Sequence, residues 1–362
     1  MNPKTIVIAA GGTGGHIFPA LSVAQAFKKS HSPVSLLWIG TYRSREVELC
    51  KKSTIPIMIL DVIGLKRRIG FQSIIAVVSF ARAVLSVMCQ FTKHRPDAVI
   101  AFGGYVCAPV LAAAALKKIP IYLQEQNTVA GMVNRFFLRY AKKTFLGFPL
   151  AGKSPTLQTS ELTGTPVRTQ VQSFESFPYP QKLDKTRKTI LICGGSQGAQ
   201  SMNDGLIDAV VQWSMQKLQI IWQTGTASYK ALSTRFVADK NIFIFETLDD
   251  LYPFYAVSKI IIGRAGASTL AEIAYFGLPC VLIPLPWASE NHQWVNAGLV
   301  QMQGWGIRIK QDASTGKNII AAVSAILSDD HKYNAMCMKA LDNSPAEAAD
   351  KIVSAIRKDL KL

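Results

Sequence analysis

The residues of this chain whose types and spacing could do chemistry lie in three small-residue strings and one dense polar loop. Gly11-Gly12-Thr13-Gly14-Gly15-His16 and Gly194-Gly195-Ser196-Gln197-Gly198-Ala199 each follow an apolar run and precede a helical stretch. A glycine turn at the carboxyl end of a strand lets backbone N–H groups approach an anion, and the helix behind it adds about half a positive charge. Either loop can cradle phosphate, although a lone glycine turn is also what tight strand-to-helix packing produces. Neither loop has the G-x-G-x-x-G spacing, residues 30–39 carry no acid to read a ribose, and no Walker A loop occurs, so NAD and P-loop chemistry are disfavoured.

The third string, Gly263-Arg264-Ala265-Gly266-Ala267-Ser268-Thr269-Leu270-Ala271-Glu272, also follows an apolar run. Its small residues expose N–H groups for phosphates, and Glu272, one helical turn after Ser268, can accept from ribose hydroxyls. The plainer alternative makes Ser268 a helix N-cap and Glu272 a solvated residue. Beyond the next apolar run comes the loop at residues 284–296, which includes Glu290, Asn291, His292, Gln293 and Asn296. Its amides, imidazole and carboxylate can match the hydroxyls and acetamide of a sugar.

Positioning such loops takes strands, and the apolar runs supply them. Strands are predicted at 6–10, 35–39, 57–62, 98–101, 121–124 and 143–146, with a helix at about 17–29. Residues 147–188 dissolve into Pro, Ser, Thr and Gln, which marks a domain joint. The alternation restarts at 189–193, with strands near 219–223, 242–245, 259–262 and 280–283. This is an α/β chain of the GT-B kind: two facing Rossmann-like domains with a cleft between them. The expected division is 1–163 and 164–340. A C-terminal helix within 341–362, near 346–358, should pack back on the first domain.

Composition agrees with two folded domains. The 362 residues are 49% hydrophobic and 17% charged, which excludes a disordered chain. The first 164 residues hold +14 of the net +17, a one-sided field that implies an anionic partner. Cys50, Cys89, Cys107, Cys193, Cys280 and Cys337 form no C-x-x-C pair and read as reduced thiols. The amino terminus lacks a signal peptide's apolar region and is expected to be retained and folded. Residues 71–91 make an apolar helix long enough to span a bilayer, but Arg82 at its centre argues for a partly buried helix at a surface. Lys66, Arg67 and Arg68, followed by Ile69, Phe71, Ile74 and Ile75, join a basic cluster to that helix and suit an anionic membrane surface. An ordinary core helix after a solvated basic loop is the other reading.

Taken in order, residues 11–19 (GGTGGHIFP), Gly103-Gly104-Tyr105-Val106, Glu125-Gln126-Asn127, Gly164-Thr165-Pro166-Val167-Arg168, residues 194–199, residues 264–272 and Asn291-His292-Gln293 with Asn296 resemble glycosyltransferase family 28 nearly end to end. Within it the likeness is to the MurG-type enzymes, which move N-acetylglucosamine (GlcNAc) from UDP-GlcNAc onto lipid I (undecaprenyl-diphospho-MurNAc-pentapeptide) and form lipid II for peptidoglycan. The resemblance implies that the C-terminal domain binds UDP-GlcNAc. Gly195, Ser196 and Gln197 would meet diphosphate or uridine; Ala267, Ser268 and Thr269 the diphosphate; Glu272 the ribose. Leu248 would pair with uracil through its backbone, His292, Gln293 and Asn296 would face the sugar, and Arg168 would lie near phosphates or uracil. Thr13, Gly14, Gly15 and Asn127 complete the donor set. Gly12, Gly103, Gly104, Tyr105 and Asn134 would hold the acceptor.

An inverting transfer needs one base and one stabiliser of the leaving diphosphate. His16 is the candidate base, and Glu125 is its rival. No D-x-D motif occurs, and Asp249-Asp250 and Asp329-Asp330 read as helix-start or surface residues, so no metal and no cofactor are expected. The implied partners are UDP-GlcNAc, lipid I and anionic phospholipid on the cytoplasmic face of the bacterial inner membrane, with room for other cell-wall synthesis or division proteins and none for nucleic acid. Gln124, Ala265 and Cys107 depart from the family's usual His, Ser and Ser. Two alternatives stay open: a UDP-GlcNAc 2-epimerase or other UDP-sugar enzyme of the same architecture, and a basic nucleic-acid-binding protein, although no aromatic-interleaved basic stripe is present.

Overall fold

The computed structural model describes residues 3–30, 33–42, 46–62, 71–151, 159–169, 183–184, 186–194, 199–248, 250–312 and 315–362, apart from the side chains of 71–75 and Ser289. The chain divides into two compact units, one of Met1–Thr169 with Pro345–Leu362, the other of Gln170–Ser344.

The first unit is built on β1 (Lys4–Ala9), β2 (Val34–Gly40), β3 (Ile57–Ile59), β4 (Ala98–Ala101), β5 (Ile121–Glu125), β6 (Lys143–Leu146) and β7 (Ser160–Leu162). They pair in parallel in the order β3-β2-β1-β4-β5-β6-β7. Successive residues of β1 face opposite sides, so both faces need apolar cover and the run reads as continuously hydrophobic. Ile6 and Ile8 pack with Leu21, Val23 and Phe27 of helix Gly14–Lys29 and with Ile352 and Ile356 of helix Ala348–Leu360. Val7 and Ala9 pack with Val84 and Val87 of helix Phe71–His94 and with Val110 and Leu111 of helix Cys107–Leu116.

The last helix is thereby part of the first unit's core. Arg357 Nη1 donates to Ser30 Oγ at 2.8 Å, and Tyr122 O–H donates to Asp359 Oδ2 at 3.0 Å.

The second unit repeats the plan with β8 (Thr189–Cys193), β9 (Gln219–Gln223), β10 (Ile242–Phe245), β11 (Ile260–Gly263), β12 (Cys280–Leu282) and β13 (Gly306–Arg308), ordered β10-β9-β8-β11-β12-β13. Ile190, Ile192, Trp222 and Ile262 pack there against Trp213, Ile319 and Val323. In each unit the connection order reverses once, at β1/β4 and at β8/β11. In open parallel sheets a ligand crevice opens beyond the strands' carboxyl ends at such a reversal. The Gly11–Gly15 loop, Gly194 and the 263–272 string all leave strands at these points.

Helix Phe71–His94 turns Ala76, Ala83, Val84, Val87 and Phe91 into the core. Val77, Val78 and Leu85 stand exposed on another face, beside exposed Arg82. Its Ala76–His94 portion is long and apolar enough to cross a membrane by length and composition, and most of that stretch is not buried. Lys66, Arg67, Arg68 and Ile69 lie outside the described residues, as do the side chains of Phe71, Ile74 and Ile75.

Candidate active site

At the β1/β4 reversal, Gly11–Gly15 turns into helix Gly14–Lys29, whose N-cap Thr13 makes no side-chain cap bond and whose first turn carries no acid. The loop after β4 supplies Gly103 and Gly104, at φ +107° and +90°, a region that disfavours any side chain. Glycine is required there for space as well. A methyl carbon on Gly103 would lie 2.9 Å from His16 Nε2, and one on Gly104 would lie 2.4 Å from the Gly11 carbonyl oxygen. Tyr105 closes on the same point, its ring edge 3.9 Å from where a Gly12 side chain would begin. Gly12, Gly103, Gly104, Tyr105 and His16, spread along the sequence, thus form one cluster.

His16 Nδ1 lies 3.1 Å from the Gly11 carbonyl oxygen, which can only accept, and 3.4 Å from Thr13 Oγ1. The proton therefore sits on Nδ1, and the Nε2 lone pair beside Gly103 is the ring's basic site. Burial lowers the imidazole pKa below its ordinary 6.5; the Gly11 bond and the field of Glu125 only partly offset this. At neutral pH the ring is a neutral base. Cys107, standing where a serine is usual, points its thiol at the Gly103 carbonyl at 3.0 Å and at that of Ala9 at 3.3 Å, so it ties this loop down much as a hydroxyl would. Burial raises that thiol to about 12 and keeps it protonated.

Glu125 is placed differently. It is buried at the end of β5, and both oxygens are engaged: Oε1 accepts from Asn127 N at 3.0 Å and Asn127 Nδ2 at 3.3 Å, while Oε2 accepts from Gly131 N at 3.0 Å and Asn134 Nδ2 at 2.8 Å. A carboxylate so surrounded organises the 125–134 loop. Asn134, expected against the acceptor, is itself buried, and its Nδ2 donates to Glu125 and to the Gln124 carbonyl. Arg168, expected near the donor, belongs to the first unit, where its guanidinium lies 5.2 Å from the Phe18 ring centroid.

In the second unit, helix Ala267–Tyr275 starts at N-cap Gly266, with no side-chain cap and no acid in its first turn. Ser268 is therefore inside the helix instead of capping it. The N–H groups of Ala267, Ser268 and Thr269 point out of the helix start, where an anion can take them. Glu272, one turn on, is half-buried instead of solvated, and Oε2 accepts from the Tyr255 hydroxyl at 3.2 Å.

Around these two features the polar loop is braced from within. Asn296, expected on the sugar, is fully buried and donates to the Ala265 carbonyl at 3.1 Å, which fixes the approach to the helix start. Gln293 Oε1 accepts from Leu285 N at 3.0 Å. Arg264 Nη1 donates to the Ile283 carbonyl at 2.9 Å and to Gln311 Oε1 at 2.7 Å, and burial lowers its pKa to about 10. Beside them a cavity of about 330 Å³ is lined by residues that include Leu285, Asn291, Trp294, Lys310 and Gln311. His292 opens helix His292–Gln303, and Leu248 lies half-buried in the stretch after β10. Gly195, Ser196 and Gln197 lie outside the described residues.

The contacts of Tyr255 and Gln311 are not legible in the sequence. Each meets its partner only through the fold, 17 and 47 positions away in sequence, with no spacing signal to announce it. Asp250 Oδ1 accepts from Tyr252 N and Asp329 Oδ1 from Lys332 N, the helix-start use expected of both. Among the described residues, no three of His, Cys, Asp and Glu gather as a metal would require.

Paired parallel-sheet units, each with an anion-receptive loop at its strand reversal, give the chain the architecture of the GT-B glycosyltransferases. It belongs to glycosyltransferase family 28: the family's N-terminal domain matches residues 6–146 and its C-terminal domain residues 189–352. The chain is 33% identical, over 357 residues, to the UDP-N-acetylglucosamine--N-acetylmuramyl-(pentapeptide) pyrophosphoryl-undecaprenol N-acetylglucosamine transferase of Listeria welshimeri, covering 97% of this chain and 98% of that protein. It superposes on the crystal structure of Acinetobacter baumannii MurG with a TM-score of 0.75 and 30% identity, covering 98% and 100%. A UDP-GlcNAc 2-epimerase from Neisseria meningitidis, bound to UDP-GlcNAc, gives 0.69 at 16% identity over 98% and 100%, and so shares the fold alone.

Proposed function

We propose that this glycosyltransferase moves GlcNAc from UDP-GlcNAc to the C4 hydroxyl of MurNAc in lipid I, forming lipid II with inversion at the anomeric carbon. The observation that carries the reading is the setting of His16: Nδ1 bonded to the Gly11 carbonyl, which leaves Nε2 as the ring's basic nitrogen, within a cluster of glycines. His16 Nε2 takes the proton of the C4 hydroxyl as the O4–C1 bond forms and the C1–O–phosphate bond breaks, and UDP departs with the electron pair. The helix start at Ala267–Thr269, together with the 194–199 loop, carries the charge developing on the diphosphate. Glu272 accepts from the ribose hydroxyls, Leu248 offers its backbone to uracil, and His292 and Gln293 serve the sugar side. Glu125 holds the acceptor loop in shape and is not the base.

The first unit takes the anionic, lipid-linked acceptor, which accounts for its share of the positive charge. It works at the cytoplasmic face of the inner membrane, through the basic segment 66–68 and the apolar start of helix Phe71–His94.

Incubation with UDP-GlcNAc and a lipid I analogue tests the reading. UDP release should require the acceptor, and EDTA should leave the rate unchanged. Steady UDP-ManNAc formation without acceptor, or a rate lost to EDTA and restored by Mg²⁺, would overturn it.

A further inference from the structure

The ribose carboxylate proposed above has a buried partner that the transfer chemistry does not use. Tyr255, in helix Tyr252–Val257, is fully buried, and its hydroxyl lies 3.2 Å from Glu272 Oε2. Its ring is wedged against Phe276, at a centroid distance of 5.3 Å, and against Tyr252, at 6.3 Å, so the hydroxyl has little freedom to swing away. Both residues stand at the β8/β11 reversal, near enough to Cys193, the last residue of β8, for their charges to act on one another.

We infer that Tyr255 is a positioning residue for ribose recognition: its hydroxyl holds the Glu272 carboxylate in the rotamer that accepts from the nucleotide's ribose hydroxyls. The physical case starts from the flexibility of a glutamate, whose three rotatable bonds must be fixed before two oxygens can meet two hydroxyls. A donor on Oε2 fixes the plane in which the carboxylate meets a ligand. The phenol is suited to that single job. Burial and the neighbouring carboxylate both push its pKa well above the ordinary 10, so it remains a donor at every working pH and never competes as an anion. The inference rests on the reading of Glu272 as the ribose ligand.

The test compares the affinity of the full-length protein for UDP with its affinity for 2′,3′-dideoxy-UDP, by calorimetric titration. Wild type should bind UDP about tenfold or more tighter, the worth of a charged hydrogen bond. In Tyr255→Phe, which keeps the ring and its packing, that ratio should shrink severalfold while binding of the dideoxy compound stays put. A merely structural role would weaken both ligands together and leave the ratio intact, and that result overturns the inference. Should the phenylalanine variant fail to fold, 3,5-difluorotyrosine at position 255 keeps the ring and hydroxyl but alters donor strength. A shifted ratio supports the inference, and an unshifted one overturns it. If wild type itself binds the two ligands equally, the ribose reading of Glu272 is what fails.

Discussion

The Gly11 carbonyl fixes the His16 tautomer, Gly103 packs beside Nε2, and burial keeps the ring neutral by lowering its pKa. His16→Ala should lower kcat by about 10²–10⁴-fold and leave the KM for UDP-GlcNAc nearly unchanged, since general-base catalysis contributes on that order. Because burial lowers the imidazole pKa, the ring is the unprotonated base down to below pH 6.5, and rate falls only as pH drops through that lowered value. The acid limb of kcat/KM should have its midpoint below 6.5, and stopped assays across pH 5–8 on wild type and His16→Ala will show whether the limb disappears with the ring. In the second unit, Glu272→Ala should weaken UDP-GlcNAc binding by about 1–3 kcal/mol in a titration, with kcat at saturating donor less affected. Unchanged affinity would remove Glu272 from the ribose. Residue types alone singled out His16 and Glu272 as candidates, because one opens a glycine-loop helix and the other follows an anion-receptive turn by one helical turn. They put Asn134 and Asn296 against ligands, and both are found buried with loop-bracing bonds: an amide looks the same in sequence in either setting. Burial is a property of the fold, and nothing in an isolated amide announces it.

Among elements, the central strands were the most legible. Parallel strands covered on both faces must be apolar at every position, so runs such as 6–9 and 189–193 stand out from their surroundings. The short edge strands β7 and β13, Ser-Glu-Leu and Gly-Ile-Arg, carry no such run because each borders the sheet and is only partly covered. The meeting of the Gly11–His16 loop with Gly103–Tyr105 was likewise out of reach of motif reading; it follows from β1 lying beside β4, a long-range pairing. Helix Phe71–His94 was expected to be partly buried at a surface, and its two faces divide accordingly, with Ala83, Val87 and Phe91 inward and Val77 and Leu85 outward. The basic segment before it should supply the electrostatic part of membrane attachment. Replacing Lys66, Arg67 and Arg68 together with Ser should weaken binding to anionic vesicles by about 100-fold, at about 1 kcal/mol per charge, in a sedimentation assay. Turnover of a water-soluble acceptor analogue should persist. Undiminished vesicle binding would move the membrane face elsewhere.

For the whole molecule, the two units repeat one physical device, a strand reversal with a glycine-rich loop, and put it to different uses. The first has the proposed base, His16, and the charge suited to an anionic acceptor; the second has a helix start without a side-chain cap and a carboxylate one turn on, suited to a nucleotide diphosphate. One base and one leaving-group stabiliser are what a single displacement requires, whereas retention would call for a second, covalent step. The product's stereochemistry therefore bears on the division of labour directly. Proton NMR of the disaccharide released from the lipid-linked product, made from α-linked UDP-GlcNAc, should show a β-anomeric GlcNAc attached at C4 of MurNAc. An α-anomer, or attachment at another hydroxyl, would contradict a single inverting attack by the C4 oxygen.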